Sequence, residues 1–250
     1  MNGGVRINGA EHPKKSPRRV LIGTPAYEWA THVRYTNAFG LTIKACIGAG
    51  IDLRWLFPPG DAILQNAFNE LVAKARANNF DDLVIIGADQ DWEPEGFLQL
   101  LSYPVDCVAG PVRKKADEPE RYNVKTRLGA SSMRAHPTLP LLTSPDLAVG
   151  TGFMRLTRKA MDILWEPAEK YDHPDGGKME ERAWIFDIRP INRELVGEDI
   201  HICHTLRAHG LDIWLDPGIA SGHSGMKRWV GNFPAWLSRL QAEDAARPTQ

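Results

Sequence analysis

Asp81-Asp82-Leu83-Val84-Ile85-Ile86-Gly87-Ala88-Asp89-Gln90-Asp91-Trp92 is the stretch on which the reading of this chain turns. Leu83 to Ile86 form a short, unbroken apolar run, which predicts a strand buried on both faces. Gly87-Ala88 releases the chain into an Asp-x-Asp turn, and Glu93-Pro94-Glu95 signals a helix start, with Pro94 suited to a first helical turn. Carboxylates at the carboxyl end of a buried strand stand where open α/β sheets bind their ligands. Spaced by one residue, Asp89 and Asp91 would serve one hard cation and the groups beside it. A plainer role satisfies the same pair, a turn whose aspartates only cap the next helix.

Upstream, Arg19 to Gly23 predicts a first strand that ends in Thr24-Pro25-Ala26-Tyr27. A helix is expected from about Thr31 to Ala49, and Ile51 to Phe57 alternates as a second strand closed by Pro58-Pro59-Gly60. Asp61 is placed as the cap of an amphipathic helix with Leu64, Ala67, Phe68, Leu71, Val72 and Ala75 on one face. Strand, helix, strand, helix, strand is the start of a doubly wound α/β fold, with a mostly parallel central sheet and helices on both faces.

Downstream, a short helix from Pro94 to Leu101 and a strand near Val105 to Gly110 are expected, then loops and short strands over 111–146. Leu147 to Leu156 is strand-like with two glycines and leads into a helix near Arg158 to Trp165. Residues 166–183 read as a mobile polar loop, and Trp184 to Phe186 as a short apolar strand. Gly197-Glu198-Asp199 opens a helix that Gly210 stops, Asp212 to Leu215 is a last strand, and Trp229 to Leu240 is amphipathic. The expected organisation is a disordered tail over 1–18, one domain over 19–240 and a frayed end over 241–250.

With 250 residues, 43% of them hydrophobic, the chain can bury a large core. Its net charge of −1 provides no global attraction to nucleic acid or membrane. Basic clusters at 14–19, 113–115 and 227–228 read singly as solvated faces. Cys46, Cys107 and Cys203 lie far apart in apolar surroundings, the pattern of core thiols in a reduced compartment. No apolar run reaches membrane-spanning length and no signal-peptide core is seen, so the expectation is a cytoplasmic protein. His201, Cys203, His204 and His209 do not share one helical face and are not read as a zinc site.

Three features stand in a telling order: Asp89-Gln90-Asp91 after a buried strand, Glu198-Asp199 at a helix start, and His223 after a last strand and an Asp216-Pro217-Gly218 turn. With Val149-Gly150-Thr151-Gly152-Phe153 between them, the ordered set resembles the GT-A glycosyltransferases of the family 2 type, in particular compact phage-encoded members. The resemblance spans about residues 19–226. It implies a hexosyl-type, inverting transfer from a nucleotide sugar, a UDP-sugar by expectation, with Mn²⁺ or Mg²⁺ as cofactor. It further implies Asp91, Asp89 and His223 at the metal, Asp89 also reaching the donor, and Asp199 as general base with Glu198 beside it. Thr24, Pro25 and Tyr27 would cup the nucleoside base, with Asp52 and Asn69 near the donor, while Gly152, Phe153 and Trp92 would line the acceptor pocket. The family often has Arg-Asn in the second helix where this chain has Phe68-Asn69.

A mixed carboxylate and imidazole site suits Mn²⁺ somewhat better than Mg²⁺. A helix start stabilises an ionised carboxylate, which would make Asp199 a weaker base and an ordinary N-cap. For the acceptor, the basic clusters at 113–115 and 227–228 would suit the backbone of DNA bearing hydroxymethylated pyrimidines, and a cell-envelope or small glycan is the alternative. A nucleotidyltransferase would need a Gly-rich, basic loop after the first strand, which Gly23-Thr24-Pro25-Ala26-Tyr27 is not. A non-catalytic nucleotide-sugar binder is the third possibility.

Overall fold

The computed structural model describes residues 16–58, 60–191 and 193–246. It opens with β1 (Arg19–Gly23), α1 (Val33–Gly48), β2 (Asp52–Leu56), α2 (Leu64–Ala77) and β3 (Asp82–Ile86). After β4 (Gln90–Trp92), α3 (Pro94–Ser102) and β5 (Cys107–Ala109) come four short strands, β6 (Val124–Lys125), β7 (Arg134–Ala135), β8 (Leu142–Thr143) and β9 (Ala148–Val149). Then follow β10 (Phe153–Thr157), α4 (Arg158–Trp165), β11 (Lys170–Asp175), β12 (Lys178–Ala183), β13 (Arg189–Ile191) and β14 (Glu194–Val196). The chain closes with α5 (Glu198–Ala208), β15 (Trp214–Leu215), β16 (Ser221–Ser224), β17 (Arg228–Trp229) and α6 (Phe233–Ala245).

The central sheet has eight strands in the order β2-β1-β3-β10-β5-β15-β8-β7. β1 is parallel to both β2 and β3, and β15 is parallel to β5. β10 runs antiparallel between β3 and β5, and β8 runs antiparallel between β15 and β7, so the other strands of the sheet point one way. Alternation along the buried strands divides the core. Val20, Ile22, Val84 and Ile86 face the layer holding Tyr35 and Ala38 of α1 and Phe97 and Leu100 of α3. Leu21, Leu83 and Ile85 face the opposite layer, with Leu71 and Val72 of α2, Leu164 of α4 and Ile202 of α5. Each such aliphatic side chain removed from water contributes about 1.5–3 kcal/mol.

At the amino end of β3, Asp82 is buried and ionically satisfied. Arg18 donates to both of its oxygens (2.6 and 2.8 Å), and Arg155 Nε lies 3.3 Å from Oδ1. Arg155 is itself buried and bonds the carbonyls of Leu100 (2.7 Å) and Tyr103 (2.9 Å). Arg18 is therefore anchored to the fold although it falls in the segment read as tail; residues 1–15 and 247–250 lie outside the described residues. α6 runs on to Ala245, past residue 240, where the sequence reading ended the domain.

Residues 166–183 are not a mobile loop. Lys170–Asp175 and Lys178–Ala183 form a regular antiparallel hairpin. Gly176 and Gly177, both at positive φ (54° and 81°), make the two-residue turn that suits strand twist. Polar side chains along it obscure the strand signal, because they meet polar partners on α2: Tyr171 on Asn66 (2.7 Å), Glu180 on Lys74 (2.8 Å) and Arg182 on Glu70 (3.0 Å). Trp184 to Phe186 is not a strand, and its amides at 185 and 186 bond Asn69 Oδ1 instead (3.1 and 2.8 Å). Asp61 is not the cap of α2. The N-cap is Ile63, and Asp61 binds the Ile63 amide (2.9 Å) one step upstream. Among the described residues no helix is long and apolar enough to cross a membrane.

Candidate functional site

The turn after β3 is closed by its own backbone, with the Gly87 amide on Gly152 O (3.1 Å) and the Gln90 amide on Gly87 O (3.1 Å). The chain re-enters as β4, which pairs antiparallel with β16 in the register Asp91–Gly222 and Gln90–His223. The Ser224 amide bonds Asp89 O (2.7 Å). This pairing returns the late histidine to the Asp-x-Asp turn: His223 Nε2 lies 3.3 Å from Asp89 Oδ2. His223 Nδ1 lies 2.8 Å from Arg113 O, a group that only accepts, so Nδ1 donates there and Nε2 faces the carboxylate. Lys115 also donates to Asp89 Oδ2. Burial pushes the Asp89 carboxyl up, but the hydrogen bonds and charges of His223 and Lys115 outweigh it and hold the group down at about 2.

Asp89, Lys115 and Ser224 form part of the wall of a cleft of about 600 Å³ at the carboxyl ends of the strands, opposite Pro25, His32 and Phe68. A second pocket of about 450 Å³ adjoins it, lined by Trp29, Tyr35, Phe39 and Phe57, and Thr31 belongs to both. Trp29 is held at φ 59°, a costly conformation for a bulky residue, and the residue is 78% exposed.

The middle residue of Asp-Gln-Asp has a packing role. Gln90 is buried and lies against Gly152, where a Cβ would stand 2.3 Å from its amide nitrogen. The glycine expected in the acceptor pocket does border the cleft, but close approach of Gln90 is what requires it.

Asp91, expected as the direct metal ligand, is turned into a two-pronged pair with Arg228, whose Nε lies 2.9 Å from Oδ2. It does not line the cleft. Among the described residues no three His, Cys, Asp or Glu side chains converge as a metal cage. Asp89 and His223 nevertheless fit two neighbouring positions on one cation, since cis ligands at about 2.1 Å stand about 3 Å apart. A cation with one carboxylate from the protein and further oxygens from phosphate is a common arrangement.

Glu198 and Asp199 occupy the first turn of α5. α5 is tied to β9, just before Thr151 and Gly152 of the cleft, by the Cys203 thiol on Val149 O (3.7 Å). Gln65, next to the cleft residue Leu64, reaches Glu198 Oε2 (3.5 Å). Neither carboxylate is itself in the cleft wall. The Ile200 amide donates to Asp199 Oδ1 (2.7 Å) and favours the ionised form, as expected at a helix start. Burial, and after it the Glu198 charge, prevail and raise the Asp199 pKa. This reverses the expectation of a weakened base.

Several other expected contacts belong to the core. Thr24 is buried against the Tyr35 hydroxyl (2.6 Å), and Asn69 is the buried staple of residues 185–186. Trp92 and Phe153 are buried, their rings 6.0 Å apart, and Trp92 Nε1 donates to Thr42 (2.9 Å), so neither is free for an acceptor. Asp52 stands at the amino end of β2, away from the cleft, paired with Arg54 (2.8 Å). Pro25 lines the cleft and Tyr27 is exposed. Lys115, Ser224 and Trp29 were missed as site residues. Lys115 follows the carboxyl end of β5, so the strand-end rule that singled out Asp89 would also have found it.

No family model matches the chain, and no curated protein matches it. Three solved structures show a distant likeness. The protein A197 from STIV is 12% identical, with 83% of this chain and 86% of that one covered and a TM-score of 0.46. The inositol-1-phosphate CTP transferase from T. maritima is 7% identical over 94% and 99%, with a TM-score of 0.41. A glycosyltransferase involved in glycosylation of the major capsid of PBCV-1 is 10% identical over 59% and 63%, with a TM-score of 0.32. Likeness at this level assigns no activity.

Proposed function

We propose that the chain is a glycosyltransferase that moves a sugar from a nucleotide-sugar donor, a UDP-sugar, to an acceptor hydroxyl with inversion. The reading is carried by Asp89, in the wall of a strand-end cleft, with His223 Nε2 3.3 Å from it. Asp89 and His223 would hold a divalent cation, Mn²⁺ or Mg²⁺, which when bound supplies Lewis-acid stabilisation to the departing diphosphate. The adjoining aromatic pocket would receive the nucleoside base, with Trp29 as a stacking face. Asp199 would accept the proton of the acceptor hydroxyl as its oxygen bonds the anomeric carbon. The bond from that carbon to the diphosphate breaks, and the diphosphate oxygen keeps the electron pair. A carboxylate with raised pKa is the better base for this step.

Four of the five basic side chains at 113–115 and 227–228 hold partners within the protein. Arg113 bonds the Asp117 carbonyl (2.9 Å), Lys115 and Arg228 hold Asp89 and Asp91, and Lys227 pairs with Asp117. Hydroxymethylated DNA and glycans are therefore both arms of the test. The experiment measures release of nucleoside diphosphate from a panel of nucleotide sugars, with Mn²⁺ or chelator, with each acceptor and without. Turnover that needs metal and is lost in Asp89→Asn and Asp199→Asn is the expected result. Release of pyrophosphate from nucleoside triphosphates instead would replace this reading with nucleotidyl transfer, and no release from any donor would remove it.

A further inference from the structure

We infer that Lys115 and Ser224 form a phosphate-binding subsite for the leaving diphosphate, with Lys115 parked on Asp89 until the phosphate arrives. This deepens the proposed function and rests on it for the identity of the ligand.

Both residues stand in the wall of the cleft beside Asp89. Ser224 is 1% exposed, and its Oγ is buried with no hydrogen-bond partner among the described residues. A hydroxyl buried without a partner is destabilising, because it has lost its hydrogen bond to water and gained none in return. Its backbone is fixed by the amide bond to Asp89 O (2.7 Å), so the hydroxyl cannot be carried away from the turn. A phosphate oxygen would give it the acceptor it lacks.

The segment that carries Lys115 is pinned from both sides. On its own segment the Lys114 amide bonds Arg121 O (2.8 Å). From the other side, Trp229 Nε1 donates to Asp117 Oδ1 (3.1 Å) and the Arg113 guanidinium donates to Val230 O. The lysine stem passes Gly225, where an added Cβ would make ordinary contact with Lys115 Cδ (3.5 Å) and a tight one with the Trp229 ring (3.1 Å). The ammonium has three donors and Asp89 uses one direction, so it can turn to a phosphate without leaving its place. That turn would also uncover Asp89 Oδ2 beside His223 Nε2.

The test is calorimetric binding of inorganic pyrophosphate, UDP and uridine to the full chain in chelator, at low and high salt. The parent is expected to bind pyrophosphate and UDP, more weakly at high salt. Lys115→Met keeps the stem and removes the charge, and should weaken pyrophosphate and UDP about ten- to a hundredfold while leaving uridine unchanged. Ser224→Ala should weaken them about two- to tenfold without lowering the melting temperature, because the lost hydroxyl had no partner in the protein. Unchanged affinity for pyrophosphate in either variant overturns the assignment of that residue, and a parent that binds no pyrophosphate overturns the subsite. Failure of the transfer reading is seen separately: pyrophosphate binding that depends on Lys115, without turnover of any nucleotide sugar, keeps the subsite and removes the reaction.

Discussion

β3 carries an aspartate at each end, and the two lead opposite lives. Asp82, at the start, is 1% exposed, with Arg18 and the equally buried Arg155 on it. Asp89, just past the end, is 40% exposed and faces Lys115 and His223, both outside the central sheet. The cations at the start are further tied to carbonyls of residues 100–103, so exchanging a partner there would strand a charge in the core. At the far end a partner can be exchanged at the mouth of a cleft, where water and ligand take up the difference. Burial with full satisfaction marks the first as a fold determinant. Partial exposure beside an unsatisfied hydroxyl marks the second as a place for a ligand.

Measurements at both ends would break or sharpen this contrast. The largest effect is expected at the cleft end, where Asp199→Asn should lower kcat for sugar transfer by about 10²–10⁴-fold. A pKa raised by folding means that ionised Asp199 opposes folding at neutral pH; the stability its protonated form contributes is full below the unfolded pKa and is lost as pH rises through the raised folded pKa. Urea denaturation at neutral pH should therefore show the variant to be no less stable than the parent. A variant that unfolds readily would return Asp199 to the role of structural cap.

At the other end, Asp82→Ala should cost about 3–5 kcal/mol of unfolding free energy, because Arg155 keeps its burial and loses its counter-charge. A loss below about 1 kcal/mol would erase the distinction between the two ends.

The third expectation concerns pH. The acid limb of kcat/KM should lie above the ordinary aspartate value of about 3.9, since activity falls as pH drops through the raised pKa of Asp199. Glu198→Gln removes a charge that holds this pKa up and should move the limb to lower pH. A limb that stays in place would mean that the base lies elsewhere.

The smallest effect is expected for the Asp91–Arg228 pair. A double-mutant cycle with Asp91→Ala and Arg228→Ala should give a coupling of about 0–1 kcal/mol, since Arg228 is 38% exposed. Manganese affinity, read by electron paramagnetic resonance, should fall further in Asp89→Ala than in Asp91→Ala. The reverse order would restore Asp91 as the ligand.

The sequence by itself determined the layered sheet, because Leu83 to Ile86 are apolar at every position and the helices around them keep a clean helical period. It also marked the cleft end, since a carboxylate following a buried strand is a local signal. The hairpin at 170–183 escaped because its polar side chains are matched by polar partners on α2, a fact of tertiary pairing. The division of labour between Asp89 and Asp91 could not be read either, as it depends on Arg228 arriving 137 positions later. The same holds for Trp92 and Phe153, aromatic residues whose burial is fixed by α1 and β10, and for Ser224, whose hydroxyl is unpaired only because strands distant in sequence close around it. Local pattern decides which elements form and where ligands gather. Which side chain meets the ligand is decided by contacts between segments far apart in the chain, and only the folded packing brings those segments together.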